Sequence, residues 1–319
     1  MGAEQRPEAA VVIATRERET RLAFCLEALA AQSVESARFE VVVVRPAGQP
    51  GPRAAAPEGL RVRFLEHRGE PGPGAQRNTG WRASEAPLVA FTDDDCRPEG
   101  RWLERLMAAT DGPQVFVQGR TAPDPDEAHL LLGLSRSIEL DRPSAWYETC
   151  NIAYPRELLE RLGGFDERFR FSAEDADLGL RAREAGANRV FEQGALVHHA
   201  VVPNSLPRAL RATVARDSTP LLIVRHPLQR RELYVGVFHG KSHATVLLAL
   251  IGILVARRRP LLGVALVVPH VARYADRRQL LSPRGIARIA VFVTARGIVD
   301  AAEIAVTARA ALRNRVLVL

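Results

Sequence analysis

The feature that most constrains the fold is an apolar run that ends in three consecutive acids, in residues 88–98, LVAFTDDDCRP. Asp93, Asp94 and Asp95 would repel one another, so a purely structural role is disfavoured unless a cation lies among them. The apolar run predicts a short buried strand, and Pro98 is placed to open the helix that follows. The acids would then lie at the C-terminal end of a strand, which is where open α/β sheets bind ligands.

Carboxylate oxygens in such a group suit Mg²⁺ or Mn²⁺, and proteins usually share these ions with the phosphates of a substrate. The alternative is a solvated acidic turn that binds no metal. The sequence therefore predicts a divalent cation at the end of this strand, with the exposed turn as the competing interpretation.

Strand-like runs alternate with helix-like segments through the first third of the sequence. The strand candidates are VVIAT, FEVVVV and LVAFT, and the helix candidates are residues 20–31, residues 77–84 and the segment after Pro98. This order is typical of an α/β fold with a mostly parallel sheet flanked by helices. In the first helix candidate, Cys25 shares an apolar face with three leucines, so we expect it to pack in the core.

Composition narrows the class of protein. A chain of 319 residues with 47% hydrophobic content can bury a large core. Its three cysteines are spread along the chain without a CxxC motif, which argues against a disulfide framework or a zinc site and for a reducing compartment. The first ten residues are polar, so we expect no signal peptide there.

Charge is divided unevenly along the chain. Residues 1–200 carry 25 Lys plus Arg against 32 Asp plus Glu, a net of −7, whereas residues 201–319 carry 19 against 5, a net of +14. A basic and hydrophobic C-terminal region predicts attraction to an anionic membrane surface. Nucleic acid is the rival partner, but the region lacks interleaved aromatic residues and has long apolar runs, so we expect no nucleic acid.

Two apolar runs in this region, residues 244–256 and 261–272, are separated by Arg257, Arg258, Arg259 and a proline. Each run of ~13 residues would be about 20 Å long as a helix, whereas a hydrocarbon core of ~30 Å needs ~20 residues. They would form either a helical hairpin that dips into one leaflet or the core helices of a small helical domain, and the dense cations favour the membrane.

A third helical stretch follows these two runs, from Pro283 to about Arg313. Apolar residues lie on one side of this stretch and arginines on others, which is typical of an amphipathic helix. We therefore expect it to pack on the hairpin or on the lipid surface.

Five segments of the sequence occur in the order found in one enzyme family. In addition to the three acids, they are residues 10–32, 39–44, 72–80 and 150–186, the last containing CN, GGFDERF and AEDADLGLRAREAG. In these segments the chain resembles the family 2 glycosyltransferases of the GT-A fold, whose DxD element matches the acids. Order and spacing make this match far more specific than any single motif. It implies a GT-A catalytic domain over residues 8–205, followed by a helical, basic, membrane-associating region over residues 206–319.

The resemblance implies an inverting transfer of a sugar from a nucleotide-diphosphate sugar, assisted by Mn²⁺ or Mg²⁺. Asp95 and His199 would bind the metal, which neutralises the charge that develops on the leaving diphosphate. The other residues implied to bind the nucleotide sugar are Thr15, Arg77, Asn78, Asp93 and Asp94. Arg77 would meet the diphosphate oxygens and Asp93 or Asp94 the ribose.

The resemblance also assigns the acceptor side. Asp175 would be the general base that removes the proton of the acceptor hydroxyl, and Glu174 would bind the acceptor sugar. Trp146 and Asn151 would flank that sugar. The competing interpretations are that the two acids only stabilise the N-terminus of a helix and that Trp146 packs in the core.

Two loops depart from the family pattern. An acidic pair followed by Gly-Ser usually comes after the second strand, but this chain has Arg45, Pro46, Ala47 and Gly48 there, and Glu17 with its neighbour replaces an aromatic residue and Asn. The donor's base and sugar therefore stay open.

Three functions follow from these features. The first is transfer to a lipid-linked or cell-envelope saccharide at the cytoplasmic face of the cell membrane. The second keeps the fold but makes polyprenyl phosphate the acceptor. The third is a catalytically inactive binding protein, which the changed nucleotide loops allow and the retained acids argue against.

Overall fold

The computed structural model describes residues 6–16, 18–48, 55–274 and 282–319. The chain divides into two compact units. The first consists of Met1–Leu131 and Arg136–Val202, and the second of Leu132–Ser135 and Pro203–Leu319.

A mixed sheet of eight strands forms the centre of the first unit. Its strands are β1 (Ala9–Ala14), β2 (Phe39–Pro46), β3 (Val62–His67), β4 (Leu88–Asp93), β5 (Cys96–Pro98), β6 (Val115–Pro123), β7 (Asn151–Pro155) and β8 (Asn188–His199). Their spatial order is β3-β2-β1-β4-β7-β6-β8-β5. Strands β3, β2, β1 and β4 are parallel, β7 runs antiparallel to β4 and β6, and β8 is parallel to β6. The predicted α/β fold is therefore confirmed.

Within the described residues, five α-helices accompany this sheet, namely α1 (Glu19–Ala30), α2 (Pro73–Ala83), α3 (Trp102–Ala109), α4 (Arg156–Leu162) and α5 (Glu174–Glu184). Side chains alternate between the two faces of each strand, so β1 contributes Val11 to one apolar layer and Val12 to the other. Cys25 is fully buried in the Val11 layer, as predicted, and Trp81 belongs to the Val12 layer.

The segment after the acids differs from its prediction. Pro98 does not open a helix; it ends the short strand β5, and α3 begins at Trp102. Strand β5 is an edge of the sheet, where a proline is tolerated because no neighbour needs its missing N–H. It pairs antiparallel with β8, with Cys96 opposite His199. This pairing brings the end of β8 next to the three acids.

Asn78, on α2, holds the loop that contains GGFDERF. Its Nδ2 donates to the carbonyl of Phe165 at 2.8 Å and to Glu167 Oε1 at 2.9 Å. Its Oδ1 accepts from Trp81 Nε1 at 3.0 Å and from the Phe165 N–H at 2.9 Å. Gly164 has φ +75°, and a Cβ there would lie 2.4 Å from Asn78 Oδ1. All four hydrogen-bonding positions of the Asn78 amide are thus used within the protein, so its contact with a nucleotide sugar finds no support in this geometry.

Asn151, on β7, has a similar role inside the sheet. Its side chain is 0% exposed. Its Oδ1 accepts from Trp102 Nε1 at 2.8 Å, and its Nδ2 donates to the carbonyls of Arg120 and Ala195 at 2.6 and 2.8 Å. Asn151 therefore joins α3, β6 and β8 to β7 and offers no surface to an acceptor, in contrast to its predicted role.

The second unit is helical. Its α-helices are α6 (Leu206–Ala212), α7 (Thr219–Arg225), α8 (Lys241–Ala256), α9 (Pro260–Tyr274) and α10 (Pro283–Asn314). The three helices predicted for this region are confirmed. Helices α8 and α9 approach closely because both carry glycine at the crossing; a Cβ on Gly252 would lie 2.7 Å from the carbonyl oxygen of Gly263. None of the helices in the described ranges is both long and apolar enough to cross a membrane.

Helix α10 buries charged side chains within this unit. Glu303 Oε2 lies 2.9 Å from His243 Nε2 and 3.3 Å from Arg216 Nε, and Asp300 Oδ1 accepts from Arg296 Nε at 2.9 Å. Burial alone would raise the pKa of Glu303, but His243, Arg216 and Arg296 lower it to about 2. The cluster of His243, Asp300 and Glu303 has metal-ligand geometry. Because two arginines already balance its carboxylates, we interpret it as an internal ion-pair network.

The role of Asn151 gives a stability prediction. Asn151→Ala should lower the free energy of unfolding by about 2–4 kcal/mol, because it leaves the Trp102 indole N–H and two backbone carbonyls buried without partners. Urea unfolding measures the change. Asn188→Ala, at an exposed position on β8, is the matched control and should stay within about 0.5 kcal/mol of the parent. Equal effects of the two substitutions would contradict the assignment.

Candidate functional site

A cavity of about 750 Å³ opens where several strands of the first unit end. It is lined by Thr15 after β1, Pro46 at the end of β2 and Asp93 at the end of β4, together with the start of α2. Parallel strands bring their C-terminal ends to one edge of a sheet, and ligands of open α/β sheets bind there. The volume is in the range of roughly 300–1,000 Å³ that is usual for small-molecule sites.

Asp94 is fixed to the loop after β1. Its Oδ2 accepts from Thr15 Oγ1 at 2.7 Å and, at a longer 3.4 Å, from the Arg16 N–H. Burial raises the pKa of Asp94 to about 6, although Arg18 and Thr15 act in the opposite direction. Thr15 and Asp94 therefore form one hydrogen-bonded floor of the cavity, where both were predicted to bind the nucleotide sugar.

Asp95 and His199 face each other at the cavity edge. Asp95 Oδ1 lies 3.7 Å from His199 Nε2, and both residues are buried. His199 Nδ1 lies 2.9 Å from the carbonyl oxygen of Ala200. Since a carbonyl can only accept, Nδ1 is the donor in this contact, and Nε2 is the nitrogen that faces Asp95. A carboxylate oxygen and an imidazole nitrogen so arranged fit a divalent cation such as Mn²⁺ or Mg²⁺.

Cys96 is the third member of this group, since its Sγ lies within 4.8 Å of the ligand atoms of Asp95 and His199. Burial raises the pKa of the Cys96 thiol well above its usual range, so the thiol stays protonated. Metals bind the thiolate form. The two residues predicted from the sequence are therefore the ones suited to a hard cation.

Arg77 joins the acids after β4 to the acids of α5. Its Nη2 donates to Asp93 Oδ1 and its Nη1 to Glu174 Oε1, both at 2.8 Å. Burial would lower the pKa of the guanidinium, but Asp93 and Glu174 outweigh it and raise that pKa above its usual value. Arg77 is buried, lines the cavity and has both of its Nη atoms paired, so it bridges the two groups of acids; its contact with the diphosphate stays a prediction.

Glu174 and Asp175 begin α5, directly after Ala173, which has φ +70°. Glu174 is buried against Arg77, and burial raises its pKa although Arg77 opposes this. Asp175 is only half-buried, and its Oδ1 accepts from the Ala176 N–H at 2.8 Å. Desolvation, followed by the charges of Glu174 and Glu148, raises the pKa of Asp175 well above its usual value. A carboxylate with a raised pKa is a stronger base, as its predicted role requires.

Other residues at the cavity were not among those predicted. Arg18 and Arg136 line it, and Arg18 Nη1 lies 3.1 Å from Asp94 Oδ1. Trp146 does not line this cavity; it is half-buried, and its backbone N–H donates to Ser144 Oγ at 3.1 Å. Three adjacent acids call for a paired cation, but nothing in the sequence distinguishes Arg18 from its neighbouring arginines.

The altered loop after β2 presents a proline to the cavity. Pro46 lines it, and Arg45 Nη2 donates to Glu66 Oε1 on β3 at 3.0 Å. Glu17, the other predicted departure, lies outside the described residues. This part of the cavity thus has an apolar ring where the family usually has a carboxylate.

The family model described as Glycosyl transferase family 2 matches residues 10–167. A pre-mycofactocin glycosyltransferase of Mycobacterium tuberculosis (strain CDC 1551 / Oshkosh) is 32% identical over 188 residues, which are 55% of this chain and 40% of the relative. The succinoglycan biosynthesis protein ExoM of Rhizobium meliloti (strain 1021) is 32% identical over 209 residues, 59% of this chain and 65% of the relative. The chain thus spans less than two thirds of either relative.

The fold has a match among solved structures. The mannosyltransferase PcManGT from Pyrobaculum calidifontis, in complex with GDP-Man and Mn²⁺, aligns with a TM-score of 0.59 and 19% identity over 98% of this chain and 88% of that chain. At this identity the likeness concerns the fold, which is of the GT-A type. The family match and the relatives, independently of this fold likeness, identify residues 10–167 as a domain of glycosyl transferase family 2.

Proposed function

We propose that this protein transfers a sugar from a nucleotide-diphosphate sugar to an acceptor hydroxyl, with inversion at the anomeric carbon and with a divalent cation. The observation that carries the proposal is the pair of Asp95 Oδ1 and His199 Nε2, 3.7 Å apart at a strand-end cavity. The family match supports glycosyl transfer, and the complex of the Pyrobaculum protein with GDP-Man and Mn²⁺ is consistent with this donor and cofactor.

In the proposed reaction the acceptor oxygen attacks the anomeric carbon, the bond from that carbon to the diphosphate oxygen breaks, and Asp175 takes the acceptor proton. The raised pKa of Asp175 suits this step because the proton is held firmly once transferred. Asp95 and His199 would hold the cation, which supplies Lewis-acid stabilisation of the leaving diphosphate. Arg77 keeps Asp93 and Glu174 in fixed positions between these two groups.

For the acceptor we propose a lipid-linked or cell-envelope saccharide. The Rhizobium relative is named for succinoglycan biosynthesis, which is a precedent for saccharide acceptors. Polyprenyl phosphate is the second candidate, and it differs in chemistry because a phosphate oxygen is already ionised and needs little help from Asp175.

We further propose that α8 and α9 contact the cytoplasmic face of an anionic membrane. Leu254 is 73% exposed and Leu261 is 87% exposed, on either side of the exposed Arg257, Arg258 and Arg259. The sequence from residue 241 to residue 274 contains no Asp or Glu. Apolar side chains beside cations suit the boundary between acyl chains and anionic headgroups. The free cysteines favour the reducing, cytoplasmic side.

The metal proposal predicts that Asp95→Ala removes the dependence of nucleotide-sugar binding on Mn²⁺. A thermal-shift screen of UDP- and GDP-sugars first finds the donor, because a ligand raises apparent stability according to its affinity. Calorimetry with and without chelator then measures donor binding by the parent, by Asp95→Ala and by the control Asp111→Ala at an exposed turn. Donor affinity that chelator leaves unchanged in the parent would refute the metal's role.

The base proposal predicts that Asp175→Asn leaves donor binding intact but lowers turnover by about 10²–10⁴. In the parent, activity should fall as the pH drops through the raised pKa of Asp175, because protonation removes the base. That acidic limb should be missing in Asp175→Asn and kept in the control Asp111→Asn. A comparable loss of donor affinity would instead assign Asp175 to the nucleotide pocket, and full activity would favour the phosphate acceptor.

The membrane proposal predicts that the full chain sediments with vesicles containing anionic lipid. Salt should weaken binding, because the Debye length falls from ~10 Å at 0.1 M to ~3 Å at 1 M, but inserted apolar side chains should keep some protein bound. Leu254→Glu combined with Leu261→Glu should release it, whereas Phe24→Glu, at an exposed apolar position of α1, should not. Absence of binding at low salt would mean that the exposed helices do not contact lipid, and complete release at high salt would mean adsorption without insertion.

A further inference from the structure

We infer that Arg18 is a built-in competitor of the divalent cation at Asp95. Its guanidinium and the cation use the same carboxylates, so the metal binds by displacing Arg18, and this residue sets how much metal the site needs. The inference rests on the proposed function, since it concerns the same metal site, but it assigns a role to a residue outside the proposed ligands.

The contacts of Arg18 place a positive charge directly among the acids. Its Nη1 lies 3.1 Å from Asp94 Oδ1 and also contacts Asp95 Oδ2. The other oxygen of Asp95, Oδ1, faces His199 Nε2 at 3.7 Å. A cation held between Asp95 and His199 would therefore share one carboxylate with the guanidinium. Two positive groups bound to the two oxygens of one carboxylate repel each other.

Arg18 keeps its charge throughout. A guanidinium group is not deprotonated in proteins, and this one lies between two carboxylates. Deprotonation therefore gives no route by which the site could admit a metal. Relief of the repulsion requires movement of the side chain.

The surroundings of Arg18 allow this movement, in contrast to those of Arg77. The Arg18 side chain is 52% exposed, and it belongs to the residue directly before α1, whose backbone is not helical. Arg77 is buried, paired at both ends and 5.8 Å from the centroid of the Phe165 ring. Of these two arginines beside the acids, Arg18 can swing away and Arg77 is held in place. Because Arg18 lines the cavity, a displaced guanidinium stays near the site of the donor's diphosphate, where an anion can replace its carboxylate partners.

Direct titration with Mn²⁺ alone tests this inference. Free Mn²⁺ is followed by electron paramagnetic resonance in the full chain, in Arg18→Gln and in Arg16→Gln. The last is a matched control, since it removes the same charge from an exposed cavity residue whose side chain forms no ion pair within the described part of the chain. Arg18→Gln should bind Mn²⁺ about tenfold more tightly than Arg16→Gln, the scale at which groups around metal ligands act. Arg18→Lys, which keeps a charge, should return the affinity toward that of the parent.

The outcomes separate this inference from the proposed function. Equal or weaker Mn²⁺ binding by Arg18→Gln than by Arg16→Gln, with circular dichroism unchanged, overturns the role of Arg18 and leaves the metal site standing. Mn²⁺ binding by none of the variants overturns the metal-assisted function and this inference with it. An increase of affinity that only Arg18→Gln gives cannot come from loss of structure, because a damaged site would bind the metal less tightly.

Discussion

The site of this protein depends on one buried ion pair that has two acceptors. Arg77 binds Asp93 after β4 and Glu174 at the start of α5, and these two acids are far apart in the chain. A buried arginine is costly unless carboxylates balance its charge, so removal of either carboxylate would leave part of a buried charge unpaired. This constraint keeps Asp93 and the start of α5, where the proposed base lies, at a fixed separation, which the proposed transfer between two bound substrates requires.

The GGFDERF loop, which precedes α5, helps to hold Glu174 and Asp175 in position. Asn78 uses all its hydrogen bonds to fix the loop, and Gly164 has a backbone conformation and a close neighbour that exclude other residues. Gly74 allows α2 to approach Glu174, because a Cβ there would lie 3.1 Å from Glu174 Cγ. Conformational freedom of the loop would move Asp175 relative to the cavity, so a loop that does not line the cavity controls the position of the proposed base.

Much of the architecture was predictable from the sequence because it follows from short-range patterns. The spacing of apolar residues within a short segment is enough to predict a strand or a helix. This holds for the buried strand that ends at Asp93, for the apolar face around Cys25 and for the three helices of the second unit. The prediction failed where burial depends on distant partners. Asn78 bonds to a residue 87 positions away, and an asparagine with four internal partners reads in the sequence like one that binds a ligand. The prediction that Pro98 opens a helix was wrong for the same reason, because Pro98 belongs to a strand that forms by pairing with β8.

That pairing of β5 with β8 also determines when the proposed metal site can form. Asp95 is made early, but His199 follows roughly a hundred residues later, and contacts of such long sequence separation are slow to form during folding. A nascent chain that ends before β8 has the acids without the imidazole and without the neighbouring strand that orients them. If Asp95 and His199 hold the cation as proposed, their site is complete only when the last strand of the sheet has docked, and a bound metal would report that the sheet is complete.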